Sequence, residues 1–470
     1  MSLSFDPDRS QALPIYRQLY QRFREAIANG RLQPGERVPA VRALAAELNL
    51  ARGTVEAAYQ LLIGEGYLSP RGAAGTVVSP QLTAQARQAQ PVPDAAPSYQ
   101  PAHSGTLPMP LQMGLPALDA FPRKLWNRLA ARQLRHSGLE GLVYPSPQGH
   151  APLRTAIATY LGISRGIHCQ PDQVFVCAGY RACLDLIRHT LMQPGDACWL
   201  EDPGYFMARQ VLLEAGAQLV PVPVDAEGLD VACGVALAPQ ARFAVVTPTH
   251  QSPLGVSLSL PRRLALLGWA GRQGSWIIED DYDSEYRYRG KPLPALKSLD
   301  QQERVLYTGT FSKVLFPGLR LAYLVVPAPL VDAFARQADR LHNHCPLLHQ
   351  ATVATFMGEG HFARHLNRMR QLYARRRQWL LDALQAQGGA HLQLDEQAGG
   401  MHLLALLSNQ DDGPVAAEAR RAGLAVQGLS GWYLGEVRRQ GLLMGFTNVA
   451  SAEQANDLAR RLAPLLRRAG

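Results

Sequence analysis

From about residue 111 onward, short apolar runs alternate with segments of helical periodicity. The apolar runs are QVFVCAG, ACWLED, QLVPVPVD, ARFAVVTP, SWIIEDD, RVLYTGT and LAYLVVP. Strands that alternate with helices form βαβ units, so the pattern predicts a large α/β domain with a mostly parallel central sheet. From about Val331, long helices followed by a few strands predict a smaller α+β subdomain. The domain as a whole is predicted to cover residues 111–470.

Residues 1–78 predict a separate, smaller α+β domain. Residues 13–30 have apolar side chains at helical spacing and end at Asn29 and Gly30, a common helix stop. Two shorter helices, VRALAAELN and GTVEAAYQLLIGEG, follow on either side of a tight turn at Asn49 and Leu50. GYLSPRG and GTVVS then predict a hairpin of two short strands.

Residues 79–110 are rich in Ala, Gln, Pro and Ser, with PVPDAAP near the centre. This composition buries too little apolar surface to fold, so we expect a flexible linker of roughly 30 residues. No apolar run approaches the roughly 18 residues of a membrane span, and the N-terminus lacks a signal-peptide layout. The six cysteines are scattered without a CxxC pair, which favours buried thiols over a metal site. We therefore expect a cytoplasmic protein.

The helix-turn-helix pattern makes nucleic acid a candidate partner. Residues at the start of the second helix read base edges in such motifs, which nominates Arg52 and Thr54. Arg42 in the first helix and Arg71 in the hairpin, with Thr76 beside it, are placed to contact the DNA backbone. The net charge is +9, but residues 1–80 carry nine arginines against seven acidic residues. Charge therefore does not decide between DNA binding and a protein-interaction domain.

The strongest chemical signal is TGTFSKVLFPGLR, residues 308–320. Lys313 follows a predicted strand, among hydroxyl residues that include Thr310 and with Arg320 seven residues on. A lysine that forms a Schiff base must be held deprotonated, with a phosphate site close by. Hydroxyls and an arginine suit a phosphate dianion. A solvated surface lysine is the alternative.

Three other segments place polar residues at predicted strand ends. In SWIIEDDYDSEYRY, a carboxylate could pair with a protonated pyridine nitrogen and a tyrosine with a ring oxygen. VCAGYRACLDLI places Gly179, Tyr180 and Arg181 at a strand-to-helix turn that suits phosphate. WLEDPGYF places Tyr205 where its ring could stack on a ligand. Ligands of open α/β sheets lie beyond the carboxyl ends of the strands, so these segments predict one site rather than separate caps, surface acids and core tyrosines.

Residues 30–78, from GRLQPGERVPAVRALAAELN to the end of the hairpin, resemble the winged helix of the GntR family of bacterial regulators. The family often has Ser-Arg at the start of the recognition helix, and this chain has Ala51 and Arg52. Serine caps a helix and alanine does not, a loss of about 1 kcal/mol. The resemblance implies double-stranded operator DNA as a partner.

Residues 111–465 resemble fold-type I aminotransferases, and the combination resembles the MocR group of regulators over nearly the whole chain. The segments that carry this resemblance are VTPTHQSPLG, IIEDDYDSEYRY and GTFSKVLFPGLR. It implies a homodimer, head to tail and domain-swapped, and pyridoxal 5'-phosphate joined to Lys313 as a Schiff base. It implies Asp280, or else Asp281, at the pyridine nitrogen, and Tyr282 at the ring oxygen.

The resemblance also implies further contacts to the cofactor. Tyr205 stacks on the ring, and Ser252 stands where aminotransferases have the asparagine of Asn-Pro-x-Gly. The implied phosphate ligands are Thr310, Arg320 and the turn of Gly179, Tyr180 and Arg181, with Tyr144 from the partner subunit.

Leu443, in GLLMGFTN, stands about where aminotransferases have a carboxylate-binding arginine, which Arg438 or Arg439 could replace. Without that arginine, ordinary transamination of amino acids is disfavoured. We therefore expect a transcription regulator that senses pyridoxal 5'-phosphate, an amine or an amino acid. The first alternative is an active aminotransferase with an accessory DNA-binding domain. The second is a cofactor-binding protein whose DNA-binding domain has decayed.

Overall fold

Two units make up the chain, residues 1–106 and residues 107–470. A computed structural model describes residues 8, 13–82, 108–290, 293–388, 392–394, 397–408 and 410–467. Most of the predicted linker, residues 83–107, lies outside the described residues, so its flexibility stays a prediction.

The described part of the first unit is a helix-turn-helix followed by a hairpin. Its elements are α1 (Ile15–Ala28), α2 (Val41–Glu47), α3 (Arg52–Gly64), β1 (Leu68–Pro70) and β2 (Thr76–Val78). Leu19 and Phe23 of α1 are fully buried, and the Phe23 ring meets the edge of Tyr59 in α3 at 5.4 Å. The tight turn before α3 uses a left-handed residue, Asn49, at a φ of 50°. Asparagine tolerates this conformation better than most residues, which is why the sequence locates the turn correctly.

The second unit is built around a sheet that contains eight strands among the described residues. They are β3 (Val174–Cys177), β4 (Ala197–Asp202), β5 (Gln218–Asp225), β6 (Gly228–Leu229), β7 (Phe243–Val246), β8 (Trp276–Asp281), β9 (Val305–Thr310) and β10 (Ala322–Val325). The spatial order is β3-β10-β9-β8-β7-β4-β5-β6. β4, β5, β7, β8 and β9 run parallel, whereas β10 is antiparallel to both of its neighbours. The prediction of a mostly parallel sheet is confirmed.

Helices cover the sheet and complete its core. They are α4 (Arg123–His136), α5 (Ala151–Arg165), α6 (Tyr180–Leu191), α7 (Phe206–Glu214), α8 (Val231–Leu237), α9 (Leu260–Gln273) and α10 (Val331–Arg340). Ile277 and Ile278 are adjacent in β8 but belong to different apolar clusters. Successive side chains of a strand point to opposite faces, so both faces of this sheet are packed.

The last part of the chain forms the predicted α+β subdomain. Its helices are α11 (Leu347–Gly358), α12 (His361–Gly388), α13 (Asp412–Arg421) and α14 (Ala452–Arg467). Its strands are β11 (Leu392–Leu394), β12 (His402–Leu407), β13 (Gln427–Gly428) and β14 (Gly441–Gly445), in the antiparallel order β11-β12-β14-β13. Among the described residues, no helix is both long and apolar enough to cross a membrane.

Candidate cofactor site and DNA-binding surface

Lys313 lies just beyond the end of β9, in the second unit. Its Nζ donates a hydrogen bond to the backbone oxygen of Gly114 at 2.7 Å. Gly114 has a φ of +76°, and a Cβ there would lie 2.8 Å from Nζ, so this position requires glycine. Burial lowers the pKa of Lys313, while the charges of Asp283 and Asp280 act in the opposite direction. A lysine whose pKa is lowered is more readily held as the neutral amine, the form that attacks a carbonyl group.

The two aspartates at the end of β8 have different surroundings. Asp281 lies 2.7 Å from Nη2 of Arg165 and accepts a hydrogen bond from the Tyr307 hydroxyl at 2.6 Å. Burial raises the pKa of Asp280 to about 8, and the charge of Asp281 adds to the rise, while the neighbouring Tyr180 hydroxyl lowers it. Among the described residues, no arginine pairs with Asp280 as Arg165 pairs with Asp281, and the only charge that lowers the pKa of Asp280 is that of Lys313. A pyridinium nitrogen would supply a cation to pair with Asp280.

Tyr282 belongs to a small polar cluster. Its hydroxyl lies 2.9 Å from Nδ1 of His250, and the same nitrogen lies 3.1 Å from Oδ1 of Asp283. Burial raises the pKa of Tyr282 well above its usual value, and the Ser252 hydroxyl lowers it. Reasoning from sequence did not identify His250 and Asp283. Their positions in the sequence could have indicated them, because His250 lies two residues before Ser252 and Asp283 directly follows Tyr282.

The turn between β3 and α6 has the features of an anion site. Gly179 has a φ of +95°, and the first N–H groups of α6, those of Tyr180 and Arg181, have no acceptor within the helix. Nη2 of Arg320 donates to the oxygen of Ala178 at 2.9 Å and would lie 3.0 Å from a Cβ on Gly179. A guanidinium group therefore lies against an open helix N-terminus, an arrangement that suits a phosphate.

Arg181 was predicted to bind the phosphate as part of this turn, but its side chain points away from the turn. It forms an ion pair with Glu214 and lies 3.7 Å from Asp185, one turn further along α6. Charge pairing on the helix surface directs the guanidinium away from the helix end. Only the backbone N–H of Arg181 remains available to a phosphate.

Tyr205 lies near both the acid at the end of β8 and the anion site at the start of α6. Its ring is 6.1 Å from that of Tyr180 and stacks at 6.1 Å on Trp432. Burial raises the pKa of Tyr205 to about 12, with Asp280 adding to the rise and Arg320 opposing it. Tyr205 is thus close to both the acid and the arginine.

Thr310 and Tyr144, the other two predicted phosphate ligands, each have one described side-chain contact. The Thr310 hydroxyl accepts a hydrogen bond from the N–H of Ser312 at 3.1 Å, where β9 ends. Tyr144 is 90% exposed, and its ring lies 5.9 Å from that of His344. Tyr144 is therefore accessible to another chain.

Leu443 is fully buried in an apolar cluster beside the site. The buried members of this cluster are Leu254, Leu404, Leu429, Trp432, Tyr433 and Leu443, and Met113 and Tyr205 pack against them. Met113 directly precedes Gly114, which holds Lys313. Arg438 and Arg439 line a different, open cavity, together with Asp411 and Gln440. The structure gives no support to either arginine as a replacement at the position of Leu443.

The candidate DNA-binding residues lie on the first unit. Arg42, Arg52 and Arg71 are exposed, and Thr54 and Thr76 are half-buried. Arg52 lies 3.9 Å from Glu56, one turn further along α3. Arg37, which the sequence analysis did not select, donates a hydrogen bond to the oxygen of Ala74 at the tip of the hairpin.

Ala51 is the N-cap of α3 and offers no side-chain acceptor, as the sequence predicts. We expect Ala51→Ser to stabilise this helix by about 1 kcal/mol, because its hydroxyl can accept from a free N–H in the first turn. Hydrogen–deuterium exchange of the α3 amides in the full chain measures this, and exchange should slow about fivefold. Ala51→Val, which adds no acceptor, is the control. Equal exchange rates in Ala51→Ser and the native chain would contradict the prediction.

Four carboxyl groups in or just beyond the sheet of the second unit have raised pKa values. Burial raises the pKa values of Glu201, Glu279 and Glu285 to about 7 and the pKa of Asp280 to about 8. These four groups hold more protons in the folded protein than in the unfolded chain from about pH 5 to 7, so their contribution to stability falls as pH rises there. One group contributes at most roughly 1.4 kcal/mol per pH unit.

We expect Glu201→Gln to flatten this pH dependence in the cofactor-free protein. The Glu201 carboxyl accepts from the N–H of Thr247 at 3.1 Å and is 5% exposed. Urea unfolding followed between pH 5 and 8 measures the slope. Glu227→Gln, at an exposed surface position, is the control and should leave the slope unchanged. An unaltered slope in Glu201→Gln would rule out this role for Glu201.

A mostly parallel sheet, a half-buried lysine beyond β9 and an acid at the end of the neighbouring strand β8 are the arrangement of an aminotransferase-like fold. The family model for aminotransferase classes I and II matches residues 117–434. The model for bacterial regulatory proteins of the gntR family matches residues 15–78. The chain belongs to the MocR-type, GntR-family regulators, in which a helix-turn-helix domain precedes an aminotransferase-like domain.

Relatives share this architecture over almost their whole length. The probable rhizopine catabolism regulatory protein MocR of Rhizobium meliloti is 39% identical, over 94% of this chain and 92% of its own. The pyridoxine biosynthesis transcriptional regulator PdxR of Corynebacterium glutamicum is 33% identical, over 95% of this chain and 94% of its own.

Solved aminotransferases resemble the second unit. The α-aminoadipate aminotransferase LysN of Thermus thermophilus, complexed with N-(5'-phosphopyridoxyl)-L-leucine, is 28% identical with a TM-score of 0.70, covering 76% of this chain and 92% of its own. Pyrococcus horikoshii kynurenine aminotransferase, in complex with PMP, is 26% identical with a TM-score of 0.70, covering 76% of this chain and 90% of its own. The family and these neighbours indicate pyridoxal 5'-phosphate as the cofactor.

Proposed function

We propose that this chain is a transcription regulator that binds operator DNA through residues 1–78 and senses a small molecule through Lys313. The effector is pyridoxal 5'-phosphate itself, or an amine or amino acid that reacts with the bound cofactor. The observation that carries the proposal is a half-buried lysine whose pKa is influenced by Asp280, in a chain that also carries a winged helix. The proposed boundaries are a linker at residues 79–110 and an effector domain at residues 111–470, in a cytoplasmic protein.

The residues around Lys313 fit the cofactor. Asp280 would hold the pyridine nitrogen, because Asp281 is already paired with Arg165. Tyr282 and Ser252 would face the ring oxygen, and Tyr205 would lie on the ring. When bound, the cofactor supplies an aldehyde that condenses with a primary amine.

The phosphate would lie at the start of α6. Arg320, Thr310 and the N–H groups of Tyr180 and Arg181 would hold it, with Gly179 leaving room for the Arg320 guanidinium. An open helix end, an arginine and a hydroxyl are chemically matched to a phosphate dianion.

Leu443 favours a sensor over an efficient aminotransferase. Its cluster presents apolar side chains where an amino-acid α-carboxylate would need a bidentate cation. An amine would still react with the cofactor, but a carboxylate would gain little there. Slow transamination is the second function to test.

We also propose a head-to-tail homodimer in which Tyr144 enters the cofactor site of the partner subunit. Tyr144 is 90% exposed, and nearby Leu139 and Leu142 are each 82% exposed. With Val143, which is 65% exposed, four large apolar side chains lie in water within six residues. Such exposure is costly and suggests that another chain covers them.

The test is a paired titration of the full chain. Operator-length DNA is selected from a random pool with the cofactor-loaded protein, and its affinity is then measured with and without candidate amines at physiological salt. A regulator should prefer one sequence, and at least one amine should change the DNA affinity fivefold or more, the usual size of a coupling effect. Absence of sequence preference rejects the regulator. Sustained turnover with a keto acid acceptor favours the enzyme instead.

A further inference from the structure

Two buried polar residues beside the cofactor site, His250 and Asp283, have no function in the proposed binding of the cofactor. His250 is 7% exposed and Asp283 is 1% exposed. Nδ1 of His250 lies 2.9 Å from the Tyr282 hydroxyl and 3.1 Å from Oδ1 of Asp283. Nε2 of His250 and Oδ2 of Asp283 have no hydrogen-bond partner among the described residues. One nitrogen therefore contacts two oxygens at the same time.

The backbone fixes the His250 ring in this place. Gly400 has a φ of +86°, and a Cβ on it would lie 2.0 Å from Cε1 of His250. The ring thus packs directly against the main chain at Gly400. It has no room to turn away from Tyr282 on that side.

The contacts at Nδ1 allow two arrangements of protons. If Nδ1 carries the hydrogen, it donates toward Asp283, and the Tyr282 hydroxyl keeps its own proton to donate elsewhere. If Nδ1 is bare, the Tyr282 hydroxyl donates into it and offers the cofactor only lone pairs. A carboxylate next to Nδ1 favours the first arrangement, because it can only accept a hydrogen bond.

We propose that Asp283 and His250 are positioning residues that keep the Tyr282 hydroxyl free to donate to the ring oxygen of the cofactor. Asp283 does this by holding the hydrogen of His250 on Nδ1, so that the imidazole does not capture the tyrosine proton. The inference rests on the proposed placement of Tyr282 at that oxygen.

Other charged or titratable groups lie around this pair and must be allowed for. They are Tyr282, Lys313, His402, Tyr288 and Arg377. Burial lowers the pKa of His402 to about 4, and its Nε2 lies 2.9 Å from the oxygen of Pro253. His402 is therefore neutral and fixed. Its ring is 5.6 Å from that of His250, which makes it a matched control.

The effect of Asp283 on the Tyr282 hydrogen bond can be separated from the effect of its negative charge. A donor at the ring oxygen stabilises negative charge there and so lowers the pKa of the protonated link between Lys313 and the cofactor. Losing that donor raises this pKa, whereas losing the negative charge of Asp283 lowers it. The two effects have opposite signs, and only the first needs His250.

The experiment is a double-mutant cycle on the cofactor-loaded full chain, read as the pH midpoint of its visible absorbance. We compare the shift that Asp283→Leu causes in the native chain with the shift that it causes in His250→Leu. We expect the first shift to be more positive by about one pH unit, the size of one hydrogen-bond effect on a pKa. The same change should be additive with His402→Leu. Asp283→Ala, which likewise leaves no acceptor for Nδ1, replaces Asp283→Leu if the latter does not fold, with the same sign.

Equal shifts in the native and His250→Leu backgrounds would overturn the inference, because a charge effect alone is additive. The proposed function fails separately, if the native protein has no visible band or if the band survives in Lys313→Ala. A band that depends on Lys313 together with an additive cycle rejects only the role of Asp283 and His250.

Discussion

Replacing Lys313 with alanine is expected to abolish the visible absorbance of the cofactor-loaded protein. The amine is the only group of the predicted site that can form a covalent link to the aldehyde. Without it, the cofactor is held only by the phosphate turn, Asp280 and the ring contacts, and we expect it to be lost on dialysis. Absorbance spectra before and after dialysis measure the effect.

Stability provides a second measurement of the same change. A ligand present at a hundred times its dissociation constant stabilises the folded state by about 2.7 kcal/mol. The native protein should gain this on cofactor addition, and Lys313→Ala should lose most of the gain. The cofactor-free variant should be at least as stable as the native protein, because burial lowers the pKa of Lys313 and so penalises its charged form.

The control is Lys313→Arg, which keeps a positive charge and similar length but has no amine that forms an imine. If only the charge mattered, Lys313→Arg would retain the cofactor and its spectrum. We expect it to lose the visible band as completely as Lys313→Ala. A band that persists in both variants would mean that another amine carries the cofactor.

The sequence was sufficient to predict the fold because its local signals agree with the tertiary structure. All seven apolar runs are strands in the structure. Six of them are almost fully buried, as expected for strands covered on both faces of a sheet, whereas β5 is mostly half-buried. The turn at Asn49 and the absent cap at Ala51 were equally local, each determined by the conformational preference of one residue. Such features need no knowledge of distant parts of the chain.

Features that depend on distant contacts could not be predicted. The partner of the Lys313 amine is a backbone oxygen at Gly114, 199 residues away. Period-two alternation shows that Asp280 and Asp281 point to opposite faces, but not which face holds the cofactor. The structure suggests the face of Asp280, because Arg165 on α5 forms an ion pair with Asp281. The direction of the Arg181 side chain likewise depends on Glu214 in another helix.

Arg165→Leu is expected to destabilise the second unit by about 3–5 kcal/mol, the usual cost of leaving one charge of a buried pair alone. The side chains of Arg165 and Asp281 are 4% and 2% exposed, and their nearest nitrogen and oxygen are 2.7 Å apart. Nη1 of Arg165 also donates to the oxygen of Leu293, and Nη2 to the Thr249 hydroxyl, each at 2.9 Å. Leucine replaces none of these contacts.

Urea unfolding of the cofactor-free full chain, followed by tryptophan fluorescence, measures this loss. All six tryptophans lie between residues 126 and 432, so the signal reports on the second unit. The control is Arg460→Leu, which breaks a 3.8 Å pair with Asp457, in which both side chains are exposed, at 65% and 56%. An exposed pair is worth about 0–1 kcal/mol, so that variant should lose no more than this.

The same pair links stability to the cofactor site. The charge of Asp281 already raises the pKa of Asp280, and Arg165 is what balances that charge. Arg165→Leu should therefore make Asp280 harder to ionise and weaken cofactor binding near neutral pH. Adding Asp281→Leu removes the unpaired charge, so the double variant should recover both stability and affinity in part. If it were less stable than Arg165→Leu alone, packing rather than charge would explain the loss.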